Sequence, residues 1–286
     1  MSVATFRQLY IEFFEQRTAA KVTKGTLAIY GYTLIPFCHW ADEQGLDPAK
    51  INRQDVGSYI QILSKSDRKK ATVDLHGRNI RAMIRFGELE GLCPSVNFHG
   101  LLPRPPKKKQ IVARSTDVEK LMAHCTLLRD RAVILAMFES GIRRRECSNL
   151  NWCDLDFTPQ DVLRIRVKSG KGDKDRVTFA ANRAKAALTA YQATIPHGNE
   201  DPVFLGRFER RLGIQGIDRI YKKYSRLAGI KITPHAMRRG FAVEHRDMSI
   251  WDLQRLMGHA SVETTRLYVQ TDEDDLLDSY RAHLTA

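Results

Sequence analysis

Between Thr233 and Gln270 the chain sets a histidine, an arginine, a second histidine and a tyrosine on short predicted helices separated by turns. Thr233 can cap a helix through its hydroxyl, and Pro234 suits the first turn, where a missing N–H is no loss. His235 and Arg238 stand three apart and so share a helix face. Ser249 can cap the next helix, Ile250 to Met257, and Gly258 can end it, which leaves His259 just past the helix end. Ser261 is a third cap, and the helix it opens carries Tyr268. Such a set suits a phosphate. A guanidinium holds two phosphate oxygens in a planar fork and keeps its charge. An imidazole donates a hydrogen bond or passes a proton near neutral pH. Tyrosine is a poor nucleophile at its free pKa of about 10. Beside Arg and His its phenolate is favoured, and a phosphodiester attacked by it becomes a phosphotyrosine. Singly, each of these residues has a plain structural use, as packing, a solvated face or a helix cap. Their joint order and spacing carries the chemistry.

That order resembles the C-terminal signature of the tyrosine recombinases, the phage integrases and Xer-like proteins. Their pattern is His-x-x-Arg, Gly-His about twenty residues on, and Tyr nine residues after that His; this chain reads His235-Ala-Met-Arg238, Gly258-His259 and Tyr268. Earlier, Gly141-Ile142-Arg143-Arg144-Arg145-Glu146-Cys147 resembles the family's Gly-Leu-Arg-x-x-Glu-Leu box, with Ile142 and Cys147 in place of the leucines. The resemblance implies that Arg143 is the first phosphate-binding arginine and Glu146 its orienting partner. Arg144 and Arg145 are the runner-up ligands or DNA contacts. The turn Gly170-Lys171-Gly172 matches the family's hairpin Gly-Lys-Gly, which implies Lys171 as general acid for the leaving 5′ oxygen, with Lys168 and Lys174 as neighbours. The implied catalytic set is Arg143, Lys171, His235, Arg238, His259 and Tyr268, working on a double-stranded DNA recombination site without metal or cofactor. The implied assembly is a homo-tetramer on DNA held by exchange of the C-terminal helix, with a partner recombinase or accessory protein as a further possibility. Two alternatives share this fold: a type IB topoisomerase-like enzyme, and a DNA-binding protein that has lost catalysis.

The elements that must position these residues are legible in outline. The fold class read from the pattern is mainly α: an N-terminal helical bundle, then an α-rich domain with a small three-stranded antiparallel β-sheet. The resemblance implies that the bundle is of the core-binding, SAM-like kind and that the second domain is catalytic. The expected domains are 1–100, a helical DNA-binding domain; 101–114, a basic Pro-rich linker; and 115–286, the catalytic domain. In the bundle, Thr5 opens a helix, Thr23 or Thr26 the next, and Pro36 should bend that helix or break it early. Asp55 leads a short helix, and a long one runs from about Thr72 to Glu90 before Gly91 and Pro94 stop it. No further domain fits before Thr5, so the arm-binding module of some phage integrases is expected to be absent. Past the linker, Ser115 begins a segment with capping-box character, residues 132–138 read as a buried helix ended by Gly141, and three alternating stretches between Asp154 and Ala180 read as strands. Two or three helices follow before Thr233, and the basic segment Gly206–Gly216 between them reads as DNA-facing. The acidic tail after Tyr268 reads as an amphipathic helix.

Composition agrees with a polyanionic partner. Forty-six Lys and Arg against 33 Asp and Glu give a net charge of +13, and a chain this basic meets nucleic acid more readily than anything else. Arg78, Arg81 and Arg85 recur at i, i+3 and i+7 as one stripe. With Lys69 and Lys70 in the turn before them, and Lys107, Lys108 and Lys109 in the linker, they are the expected phosphate contacts. No run is apolar enough to span a bilayer and no signal-peptide core opens the chain. Five cysteines, odd in number and without a CxxC pair, read as reduced thiols of a cytoplasmic protein.

Overall fold

The computed structural model describes residues 5–106, 110–168 and 175–266 of the 286. They are mostly helical, with one three-stranded antiparallel sheet, and the chain divides into two units, Met1–Lys108 and Lys109–Ala286.

Local capping chemistry sets the first unit. Helix α1 (Phe6–Ala19) starts where Thr5 Oγ1 accepts the Gln8 N–H at 3.1 Å, and α2 (Lys24–Glu43) where Thr23 Oγ1 accepts that of Thr26 at 3.3 Å. Helix α2 runs through Pro36 unbroken. Pro36 lies on the exposed face, so the bond that it cannot donate is lost on the solvent side. Helix α3 (Arg53–Lys65) is led by Asn52 rather than Asp55. The Asn52 side chain accepts the Gln54 and Asp55 N–H groups, and Asp55 returns a bond to the Asn52 N–H, a reciprocal box that outcompetes a lone acidic cap. Helix α4 spans Lys70–Leu89. The core between these helices is aromatic. Phe37 meets Phe6 and Tyr59 edge to face, at 5.4 and 5.1 Å between ring centres. On the outer face of α4, Arg78, Arg81 and Arg85 are exposed, Arg78 paired with Asp74 and Arg85 with Glu88 at 3.0 Å.

In the second unit α5 (Ser115–His124) is capped one residue earlier than Ser115: the Arg114 N–H donates to Asp117 at 3.0 Å, and the Ser115 hydroxyl turns to Glu244 instead. Helix α6 (Leu128–Ser140) is the centre of this unit. Residues 132–138 are buried on every side, against α8 (Asn182–Gln192), α10 (Pro234–Glu244) and the sheet. Each large apolar side chain buried there contributes roughly 1.5–3 kcal/mol. Gly141, at φ +63°, ends α6 in the left-handed conformation, and a Cβ there would run into the Phe241 ring. Helix α7 (Arg144–Asn149) follows at once. Strands β1 (Leu155–Asp156), β2 (Val162–Val167) and β3 (Arg176–Ala181) pair in that order, with Val167 opposite Arg176 and Ile165 opposite Thr178. Leu163, Ile165 and Val167 face inward and Arg164 and Arg166 outward, as the period-2 pattern requires. Thr178 Oγ1 donates to the Ser140 carbonyl at 2.9 Å, which pins β3 to the end of α6. Helices α9 (Ile214–Leu227), α11 (Ile250–Met257) and α12 (Val262–Arg266) complete the unit. Among the described residues no helix is long and apolar enough to cross a membrane.

Candidate active site

The carboxyl end of α11 is the point on which the site is assembled. A helix leaves its last carbonyls without intrahelical partners. Here Gly258, at φ +64°, ends the helix, and its N–H and that of His259 both turn back to the Gln254 carbonyl, at 2.8 and 3.2 Å. The carbonyls of Leu256, Met257 and Gly258 each go to an arginine from a different element. Arg176, first residue of β3, donates Nε to Leu256 O at 2.9 Å; Arg238 of α10 donates Nη2 to Met257 O; Arg143, the residue that caps α7, donates Nη2 to Gly258 O at 2.5 Å. The negative end of the helix dipole favours cations at this place. Arg238, a residue 3% exposed, also donates Nη1 to the Gly141 carbonyl at 2.5 Å, so its guanidinium lies across the ends of α6 and α11 together.

Glu146 braces two of these arginines from behind. It accepts the Arg143 backbone N–H and Nη1, both at 2.7 Å, and Nη1 and Nη2 of Arg176, both at 2.8 Å. Burial alone would raise its pKa; the bonds and charge of Arg176, then of Arg143, outweigh burial and hold it at about 2.

His259 follows Gly258 and is 9% exposed. Its Nδ1 lies 2.8 Å from Oγ1 of Thr265, a fully buried residue of α12, and Gln254 Nε2 donates to its carbonyl at 2.9 Å. Burial, then Arg238, Arg143, Arg176 and His235, lower the His259 pKa to about 4, so the ring is neutral at pH 7. His235 stands on the first turn of α10, whose cap is Thr233, with Oγ1 accepting the Ala236 N–H at 3.2 Å. Partial burial, then Arg239, Arg238 and Arg144, lower its pKa too.

Arg143, His235, Arg238 and His259 line one open cleft of about 1110 Å³, with Arg144 and Lys222 on its wall. Arg144 is drawn to one side, to Asp218 at 2.7 and 2.9 Å, which sets it apart from Arg143. Among the described residues no group of three or more His, Cys, Asp or Glu is placed to hold a metal ion. Tyr268, Lys171, Lys107, Lys108 and Lys109 lie outside the described residues, as does the tail after Tyr268. Lys69, Lys70, Arg78, Arg81 and Arg85 are exposed residues of the first unit. In the segment Gly206–Gly216, Arg211 turns inward to the carbonyls of Ser148 and Leu150, at 3.0 and 3.1 Å, and supports the end of α7.

Two residues here escape the motif reading, Arg176 and Thr265. Arg176 did leave a signal. It shares a strand face with Thr178 and Ala180, both buried, and an arginine on the inward face of an alternating strand needs a carboxylate to receive it.

The depressed histidine makes a prediction. An unfolded histidine titrates near 6.5 and His259 only near 4, so the unfolded chain takes up this proton first and stability falls as pH drops from 6.5 toward 4. Glu146, lowered from 4.5 to about 2, removes stability over that lower window. His259→Gln should reduce the loss over the upper window, where His235 still contributes, and leave the loss below pH 4.5 that Glu146 causes unchanged. Thermal midpoints taken at intervals from about pH 7 to about pH 3 check this; equal slopes in both proteins would contradict it.

Residues 112–274 match the family described as the Phage integrase family. Tyrosine recombinase XerC of Chlamydia caviae is 32% identical over 234 residues, covering 76% of this chain and 73% of that protein. XerC of Thermodesulfovibrio yellowstonii is 28% identical over 306 residues, covering 96% of each. Among solved structures, the XerA recombinase superposes with a TM-score of 0.54 at 25% identity, over 96% of this chain and 98% of that one. The Tn1549 transposon integrase in complex with transposon right end DNA superposes with a TM-score of 0.75 at 17% identity, over 99% of this chain and all of that one (100%), and shows the shared fold. A family match across more than half of the chain, with a relative this similar over most of both sequences, means that the chain belongs to the phage integrase family, the tyrosine recombinases.

Proposed function

We propose that this protein is a site-specific DNA recombinase, which cuts and rejoins strands through a 3′-phosphotyrosine intermediate. The observation that carries the reading is the cleft in which Arg143, Arg238 and His259 gather at the end of α11 with His235 beside them. Cationic donors held rigidly before the reaction stabilise the charge of a pentavalent phosphoryl transition state better than water can, since water must reorganise to do so. Arg143 and Arg238 grip the non-bridging oxygens of the scissile phosphate. His259, neutral and with Nδ1 set on the Thr265 hydroxyl, presents Nε2–H to the phosphate when Thr265 is the donor of that pair. His235 and the arginines favour Tyr268 as phenolate. Tyr268 attacks phosphorus, the bond to the 5′ oxygen breaks, and Lys171 gives that oxygen its proton. A 5′-hydroxyl from another strand then reverses the step. The bond energy stays in the phosphotyrosine, so no nucleotide is consumed.

In the same reading Lys69, Lys70, Arg78, Arg81 and Arg85, with Lys107, Lys108 and Lys109, contact the DNA backbone. The first unit serves as the core-binding domain, the second as the catalytic one. Two duplexes need four tyrosines, so four copies assemble on DNA and exchange their C-terminal helices, inside the cytoplasm. For the DNA partner alone, support comes from the shared fold with recombinases solved on DNA, such as XerH bound to its difH substrate.

The test uses DNA bearing the protein's own site, found by footprinting on genomic fragments. The expected result is a detergent-resistant protein–DNA adduct together with exchange of strands between two copies of the site. An adduct with supercoil relaxation but no exchange would mark a topoisomerase. Tight binding with no adduct would mark a protein that binds only.

A further inference from the structure

Two arginines divide Glu146 unequally. Arg176 meets the carboxylate end-on with two parallel bonds, Nη1 to Oε1 and Nη2 to Oε2, each 2.8 Å. The Arg143 side chain reaches it at one oxygen only, Nη1 to Oε1 at 2.7 Å, and the backbone N–H of Arg143 takes the other. Four donors therefore fill the four or so lone-pair sites of the carboxylate. The two-bond pair is the strongest that a guanidinium and a carboxylate can form. It falls to Arg176, which lines a separate groove between β3 and α11, and not to Arg143, which lines the cleft. Arg143 spends one further donor on Gly258 O, so among the described residues two of its five N–H groups are engaged.

The plane of Arg176 is fixed from two other directions. Its Nε is tied to Leu256 O at 2.9 Å, and its guanidinium packs on Gly258, where a Cβ would come within 2.8 Å of it.

We propose that Arg176 is a positioning residue for strand cleavage: by occupying Glu146 it prevents that carboxylate from closing a two-bond pair on Arg143, and so leaves the remaining donors of Arg143 for the phosphate. The proposal rests on the reading in which Arg143 binds the scissile phosphate. Arg176 acts through Glu146 and not by touching the reacting atoms. Without Arg176, Glu146 would be a buried carboxylate with half its bonds missing, and Arg143, already bonded to it, is the cation in place to supply them.

The experiment is single-turnover adduct formation by the full-length chain on a nicked duplex carrying its site, with DNA affinity measured in parallel. Arg176→Gln should slow adduct formation about 100-fold and change DNA affinity by less than about threefold. Adding Glu146→Gln to that variant removes the charge that captures Arg143, so the double variant should cleave about tenfold faster than Arg176→Gln alone. A role limited to holding the fold would show in the melting temperature, which could also recover once the Glu146 charge is gone. The rates are therefore compared well below the melting point of every variant, where such a role predicts no difference between the single and the double variant. A double variant no faster than the single one overturns the proposal. Should Arg176→Gln not fold, Arg176→Lys replaces it. That variant keeps the charge but offers no planar fork, and the same acceleration on adding Glu146→Gln is required. A wild-type protein that forms no adduct removes the underlying reading and the proposal with it; wild-type adduct without second-site rescue removes the proposal alone.

Discussion

Tyr268→Phe is expected to abolish the covalent adduct and strand exchange while DNA affinity stays within about twofold of wild type. The substitution removes one oxygen. Phenylalanine keeps the ring, so folding and binding are not asked to change. Deleting an essential nucleophile typically lowers a rate by about 10⁴-fold or more, which for a slow recombinase is below detection. Adduct formation on nicked duplex, read on a denaturing gel, checks this. Adduct at even a hundredth of the wild-type rate would mean that another residue attacks.

Arg238→Lys is expected to lower the cleavage rate by about 1000-fold with little change in DNA affinity. The charge survives the change, so long-range attraction to DNA survives as well. What is lost is the fork. Arg238 is 3% exposed and spans the ends of two helices, with one nitrogen on Gly141 O and another on Met257 O. A lysine has one nitrogen on a flexible stem and cannot reach both carbonyls while also facing a phosphate. One carbonyl is left bare, and a lost bond to a charged donor costs about 2 kcal/mol, so the melting temperature should fall as well. The rate loss must exceed what that instability explains. Cleavage measured well below the melting point, with folded protein confirmed by circular dichroism, separates the two. A loss below about tenfold would mean that Arg238 is a structural clamp and does not act on the phosphate.

What could be read without coordinates was local. Thr233, Pro234, Ser249, Gly141 and Gly258 set helix limits through interactions spanning four residues or fewer, and the helices begin and end at them. The alternation in β2 was likewise a short-range pattern. Where two cap-forming residues competed, the sequence alone could not rank them. Asn52 beat Asp55 because it satisfies two N–H groups and gains a bond in return, and the Arg114 position beat Ser115 because Asp117 could reach back to its N–H. The order and spacing of Arg143, His235, Arg238 and His259 named the members of the cleft but not what holds them. Three arginines, from the cap of α7, from α10 and from β3, share three consecutive carbonyls at the end of α11, and that is a property of how distant elements pack. Arg176 took the carboxylate that the motif assigns to Arg143, from a position 30 residues away in the chain. Thr265 fixes the His259 ring from the far side of a turn. Neither pairing has a short-range signal beyond a charge on the inward face of a strand.

The account stands on one event, attack by the Tyr268 phenol oxygen on a DNA phosphorus held by the arginines of the cleft. The direct measurement is to trap the adduct on nicked duplex, digest it with nuclease and trypsin, and find by mass spectrometry which peptide carries nucleotide. The peptide beginning at Leu267 should carry it, on Tyr268, through a 3′-phosphate, and the released strand should bear a 5′-hydroxyl that a kinase can label directly. Nucleotide on any other residue, or a 5′-phosphate linkage on Tyr268, would contradict the account.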